Sequence, residues 1–199
     1  MPRGGARRGS RAAAARPRLS QHTFPRRRPG TLAARDRPGV PSLLIYLSNH
    51  TRGSGIDAAH VRRTVRRLLA ALGERRSSVS VTFVRDPEMR ALNREHRAKD
   101  RTTDVLSFSL VEGEPGPRGG ERMLGDVVIS VDAAARQAAD YDAPIAREVE
   151  RLLIHSLLHL LGHDHMESQE RSRMVSEERR LAAVVGMPWA YEPGEEGQP

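Results

Sequence analysis

Between residues 41 and 190 the apolar positions follow two rhythms, one of period two and one near 3.6, which together predict a series of strands and helices. Residues 42–48, with Leu43, Leu44, Ile45 and Leu47, are short, apolar and β-prone, so a first strand is predicted there. Asp57 then caps a helix that gathers Val61, Val65, Leu68, Leu69 and Leu72 on one face, with Gly73 as its stop. Arg62, Arg63, Arg66 and Arg67 fall on the opposite face and are expected to be solvated. Residues 79–84 alternate as a second strand, and Asp86-Pro87 opens a second helix that carries Leu92 and Asn93. Two more strands are predicted at 104–110 and 124–131, separated by a Gly/Pro-rich loop at 113–120.

The last third reads as helical. Asp142 with Pro144 marks an N-terminus, and the stripe begun by Ile145, Val149, Leu152 and Leu153 widens until the helix is apolar nearly all round at Leu161. Such a helix belongs in the middle of a domain. A turn after Gly162 leads to a final helix over 167–184. With no internal repeat, the predicted class is α+β, a small mixed sheet packed with helices around that central helix.

A chain of 199 residues has room for one ordinary domain, and 38% hydrophobic with 29% charged residues is a globular balance. We assign residues 41–190 to a single domain, 1–40 to a disordered Arg/Gly/Pro-rich extension and 191–199 to a disordered tail. No stretch approaches the roughly 18 consecutive apolar residues of a membrane span, and the expectation is a cytoplasmic protein with no membrane partner. The net charge of +8 is unevenly placed. Residues 1–40 hold 11 arginines and one acid, Asp36, whereas the rest of the chain carries 22 basic against 24 acidic side chains. The domain is thus near neutral, and the positive charge belongs to the extension. Three readings compete for that extension: a flexible RNA-attracting arm, an organellar transit peptide, or a start placed too far upstream.

There is no cysteine, so any metal must be held by His, Asp or Glu. The informative segment is His155-Ser-Leu-Leu-His159-Leu-Leu-Gly162-His163-Asp164-His165, which holds four of the eight histidines on an otherwise apolar run. His155 and His159 are four apart on a helix, so both imidazoles leave one face about a turn apart and can grip one ion. Gly162 can take the left-handed conformation that ends the helix and lets the chain bring His165 back as the third ligand. His163 is the rival for that place and is assigned to a supporting or solvent-facing position, while Asp164 can orient a neighbouring imidazole. Three nitrogens with open positions describe a catalytic zinc site holding one Zn2+ ion, although three imidazoles also suit nickel or copper. The spacing is also that of the metzincin proteases, which place a glutamate general base directly after the first histidine. Ser156 stands there in this chain, and a hydroxyl cannot do the work of that carboxylate.

Taken with the middle of the chain, the pattern resembles the YbeY family of metal-dependent endoribonucleases and ribosomal RNA maturation factors. The resemblance rests on Leu92-Asn93-x-x-x-Arg97-x-Lys99-Asp100, Thr103-Asp104-Val105-Leu106-Ser107-Phe108, Leu124-Gly125-Asp126-Val127-x-Ile129-Ser130 and the histidine segment, in that order over about residues 42–190. Glu170, Met174 and Glu178 fit as well. The resemblance implies one α+β domain that binds zinc through His155, His159 and His165 and cuts single-stranded RNA. It further implies roles in ribosomal RNA processing and ribosome quality control, with ribosomal RNA and the small subunit as partners. The family's functionally important arginine maps to Arg97, which could grip two phosphate oxygens in a fork. Alone, Arg97 would read as a surface ion pair with Glu95 or Asp100. The family usually has Gly at Ser156, Pro at Thr102 and Pro at Ser109, and the last of these departures bears on a strand end near the cleft. Two other functions compete: a ribosome assembly factor with a structural metal and no catalysis, and a zinc hydrolase acting on a different substrate.

Overall fold

The computed structural model describes residues 44–51, 53–111, 122–163 and 168–188. The segments assigned to the N-terminal extension and the C-terminal tail lie outside the described residues, as do the 113–120 loop, Asp164 and His165.

Nine elements follow one another: β1 (Ile45–Asn49), α1 (Ala58–Ala71), β2 (Ser78–Val84), α2 (Asp86–Arg97), β3 (Val105–Ser109), β4 (Met123–Ser130), α3 (Val131–Asp140), α4 (Ile145–Leu160) and α5 (Ser168–Val185). The strands form one sheet in the order β1-β2-β4-β3. The first three are parallel, and β3 closes the edge antiparallel to β4, with Phe108 opposite Asp126 and Ser109 opposite Gly125. The fold is α+β with a small mixed sheet.

Side-chain alternation sorts the strands onto two layers. Val79, Val81, Phe83, Val127 and Ile129 face a core shared with α1, α4 and α5, whereas Val84, Leu106 and Val128 face Met89 and Leu92 of α2. α4 occupies the centre of the larger core. Its Leu153, Ile154, Leu157, Leu158 and Leu160 are all fully buried, each worth about 1.5–3 kcal/mol of transfer free energy.

Both ends of α1 have a chemical cause. The Asp57 carboxylate accepts the Ala59 N–H at 2.7 Å to start α1. At the other end the Glu74 N–H returns to Leu69 and Gly73 takes φ +79°, the left-handed cap expected of it.

α3 has no counterpart among the helices predicted from the sequence. It begins at Ser130, whose hydroxyl accepts the Ala133 N–H at 3.2 Å, and its alanines carry too little hydrophobic contrast to stand out as a stripe. Asp142, expected to open α4, instead ends α3. Its φ is +51°, and the Ala143 N–H beyond it returns to the Ala138 carbonyl, while Pro144 supplies the extended residue from which α4 starts.

Candidate metal centre and its surroundings

α4 ends in a way that fixes where its two histidines point. Gly162, at φ +86°, follows the C-cap Leu161, the Gly162 N–H donates to the His159 carbonyl at 3.0 Å, and the His163 N–H reaches back to Leu158 at 3.1 Å. These two bonds make a Schellman turn. The C-terminal end of α4 is also tied to the sheet, since the Ser109 hydroxyl donates to the Leu160 carbonyl at 2.9 Å. Gly125 makes the close approach possible. A Cβ on it would lie 2.1 Å from the Phe108 carbonyl oxygen and 2.9 Å from Leu160 Cδ2, and its φ of +149° is a conformation that favours glycine.

His155 and His159 leave α4 on one face, with ring centroids 4.5 Å apart and planes at 80°. Their Nε2 atoms are 3.1 Å from each other. Two nitrogens bonded tetrahedrally to one zinc ion at 2.0–2.1 Å are separated by about 3.3 Å, so the pair fits a shared divalent ion with little movement. The opposite nitrogen of His155 supports the same reading. Its Nδ1 lies 2.9 Å from Glu178 Oε1 in α5, and a proton held on Nδ1 by that carboxylate puts the lone pair that can bind a metal on Nε2. His155 is 27% exposed and Glu178 15%, so the pair borders solvent while the carboxylate sits behind it.

Of the ligands named from the sequence, the structure brings His155 and His159 together. His165 and Asp164 lie outside the described residues, and among the described residues no third carboxylate or imidazole completes a cluster of three. His163 is half-exposed just beyond Gly162. It lies close enough to Glu177 to help Arg180, the stronger influence, hold that carboxyl below its usual range. Ser156 is fully buried, and its hydroxyl has no hydrogen-bond partner among the described residues. It therefore faces away from the solvent-bordering imidazoles and offers no base to them. Glu178 is the residue whose role the sequence concealed. It was visible as part of a family pattern, but nothing in its spacing tied it to His155 across 23 positions.

Arg97 lies on the last turn of α2 and is exposed. Among the described residues Arg97 makes no ion pair with Glu95 or Asp100, and Asp100 is held by Arg90 through two bonds of 2.9 and 2.8 Å and approached by Arg94 at 3.7 Å. That arrangement holds the Asp100 carboxyl below its usual range, chiefly through the Arg90 hydrogen bond. Asn93, buried to 2% exposure, pins the following segment by donating from Nδ2 to the Arg101 carbonyl at 2.7 Å. Arg97, Lys99 and Arg101 are thus displayed on a braced turn with no carboxylate partner among the described residues. Among the described residues no hydrogen bond or ring contact joins Arg97 to His155 or His159. The neighbouring His96 packs edge-on against Phe108, centroids 5.0 Å apart, and Phe108 in turn meets the Gly125 contact beside Leu160. A shallow groove of about 530 Å³ runs along α2 between Asp86, Arg90, Arg94 and Thr102, and it contains neither histidine.

The other sequence motif, Thr103-Asp104, is structural in this fold. Asp104 accepts the Val105 N–H at 2.8 Å and the Gln137 side-chain amide at 3.1 Å, and lies 3.6 Å from Arg151, which also grips the buried Glu148. It therefore anchors the start of β3 to α3 and α4.

Fold and site together define a class, an α+β protein whose central helix pairs two imidazoles in a geometry that fits a divalent metal ion. The family model described as Endoribonuclease YbeY matches residues 46–186, and the chain belongs to this family, whose members are metal-dependent, RNA-cleaving hydrolases. The chain is 45% identical over 140 residues to Endoribonuclease YbeY of Anaeromyxobacter sp. (strain Fw109-5), covering 70% of each chain. It is 38% identical over 143 residues to Endoribonuclease YbeY of Geobacter metallireducens, covering 71% of this chain and 95% of that one. Among solved structures, the solution structure of TM1509 from Thermotoga maritima aligns with a TM-score of 0.53 over 78% of this chain and 98% of its own, at 24% identity, a likeness of fold.

Proposed function

We propose that this protein is a zinc-dependent endoribonuclease that cuts single-stranded RNA during ribosomal RNA maturation and ribosome quality control in the cytoplasm. Ribosomal RNA and the small subunit are its partners in this reading. The observation that carries it is the 3.1 Å pairing of His155 and His159 Nε2, backed by Glu178, in a chain that belongs to the YbeY endoribonuclease family. His165 completes the ligand set in this reading, and a set of imidazoles without thiolates suits zinc in a catalytic, open site.

A bound zinc ion supplies positive charge to the phosphodiester at the point of cleavage. The protein's own residues do the rest. Glu178 holds a proton on His155 Nδ1 and keeps the ring oriented, and the Ser109 and Gly125 contacts keep the end of α4, and so His159, in place. Arg97 binds the RNA backbone through its guanidinium fork, for which its exposure and its lack of a carboxylate partner among the described residues leave it available. Few aromatic side chains are present, 4% of the sequence, so contacts to the backbone dominate and sequence preference is weak.

The test is cleavage of a single-stranded RNA and of its duplex by the purified protein, before and after chelation and again after zinc is restored. Cleavage of the single strand that is lost on chelation and regained with zinc supports the reading. Arg97→Ala is expected to keep the metal content and lower kcat/KM by about 10–100-fold, the weight of a lost charge-assisted phosphate contact. Full activity in that variant overturns the role given to Arg97, and zinc-independent cleavage overturns the enzyme mechanism.

A further inference from the structure

α1 carries a surface feature that the cleavage site does not use and the fold uses only in part. Over Ala58–Ala71 it contains four arginines and no acid, and Arg62, Arg63, Arg66 and Arg67 are spaced so that 62/66 and 63/67 are neighbours along one side. Elsewhere the described arginines are commonly matched to carboxylates, as in Arg85–Asp132, Arg90–Asp100, Arg122–Glu74, Arg136–Asp86, Arg147–Glu150 and Arg180–Glu177. On α1 that matching lapses. Arg62 and Arg66 have no hydrogen-bond or ion-pair partner among the described residues, and Arg63 reaches only Asp57, at 3.9 Å with both side chains more than 60% exposed. Arg67 is committed to the fold, donating to the Val184 carbonyl at the end of α5.

Like charges at i and i+4 destabilise a helix by about 0.2–0.5 kcal/mol per pair, so the stripe is a cost to the folded protein standing alone. A polyanion lying across it removes that cost. Residues 41–199 are near neutral in total, so bulk charge does not attract RNA, and a local stripe is what would.

The stripe also lies on a helix that carries neither Arg97 nor the paired histidines. The inner edge of α1 meets α4 through His60 and Glu150, 2.8 Å apart, and Glu150 lies five residues before His155, about 7.5 Å along the α4 axis. Arg63 lies one turn from His60 with Arg66 beyond it, both exposed, and Arg62 is half-exposed beside Arg66, so the stripe faces solvent on the side of α1 away from Val61, Val65 and Leu68.

We propose that the outward face of α1 is a second, sequence-independent binding site for the RNA backbone, which Arg62, Arg63 and Arg66 form by contacting phosphates distant from the bond that is cut. The proposal rests on the endoribonuclease reading and deepens it. It makes long RNA a better substrate than short RNA through binding alone.

The experiment compares the full-length, zinc-loaded wild type with Arg62→Gln/Arg63→Gln/Arg66→Gln and with the matching triple lysine variant, using a single-stranded RNA of about 30 nucleotides and one of about four. For the glutamine variant KM for the long RNA should rise about 10-fold with kcat unchanged, and the slope of log KM against log salt should fall by about 2, near 0.7 per lost phosphate contact. KM and kcat for the short RNA should not change, and the lysine variant should behave as wild type because it keeps the charges. Glutamine is a good helix former and the positions are at the surface, so an unchanged or slightly raised melting temperature is the folding control. Equal KM and equal salt slope in all three proteins overturn the second site while leaving the endoribonuclease reading intact. A parallel loss on long and short RNA overturns it too, since the arginines would then act at the cleavage site. A wild type that cleaves neither RNA overturns the endoribonuclease reading, and the second site with it.

Discussion

His155 shows how one side chain's usefulness depends on what stands behind it. Its Nε2 faces His159 while its Nδ1 faces Glu178, and the carboxylate decides which nitrogen keeps the proton. Glu178→Gln keeps the size and removes the charge. It is expected to weaken zinc binding by about 10–100-fold while leaving the melting temperature of the metal-free protein nearly unchanged, which competition against a chelator of known affinity measures. The i, i+4 histidines were legible from the sequence because helical spacing alone puts them on one face. Glu178 was not, because a contact between α4 and α5 has no periodic signature. Gly125 is a similar case: its motif was visible, but the reason for glycine, a carbonyl 2.1 Å from where a Cβ would stand, exists only once β3, β4 and α4 are packed. Gly125→Ala is expected to cost about 3 kcal/mol or more in urea unfolding and to weaken zinc binding with it, since it pushes the Leu160 end of α4 away from the sheet.

Among the elements, the strands and the strongly striped helices were readable, and α3 was not. An Ala-rich helix has almost no hydrophobic contrast, and Asp142-Ala-Pro144 looked like the start of α4 when Asp142 in fact closes α3. α3 also has work that the sequence could not reveal. Asp132 in its first turn accepts the Asp86 N–H at 3.0 Å and the Arg85 guanidinium at 2.6 Å, so it caps α2, whose own N-cap residue Arg85 offers no side-chain cap. In return, Asp86 accepts the Ser130 hydroxyl at 2.6 Å and Arg136 at 2.7 Å. The backbone N–H of Asp86, then Arg85, hold the Asp132 carboxyl below its usual range against the opposing effect of burial. A carboxyl whose pKa is lowered by folding stabilises the folded state at pH values above its unfolded pKa, and this contribution disappears as pH falls through the lowered folded value. Stability should therefore decline below about pH 4, and the decline should be shallower in Asp132→Asn, which has already lost the interaction at neutral pH. Urea midpoints at pH 7, 4 and 3 for both proteins read the difference, and identical pH slopes would contradict the cap.

In the molecule as a whole, positive charge is local. The total of +8 suggests an RNA-binding protein, yet the acids and bases of residues 41–199 nearly cancel, and what remains available is a braced turn at Arg97 and a stripe on α1. The architecture explains the placement of the histidines. A helix apolar on nearly every side must lie inside, and its C-terminal turn, ended by Gly162, is where it can offer polar groups to solvent without exposing its core. In the proposed function this turn holds a metal ion that RNA cleavage requires. Wild type and His159→Ala, prepared identically and matched for folding by circular dichroism, are to be compared for bound zinc per chain and for cleavage of a single-stranded RNA. The wild type should hold one zinc per chain and cleave the RNA, and the variant should lose both. Equal cleavage by the two proteins, or cleavage that survives the loss of zinc, would contradict the proposed function.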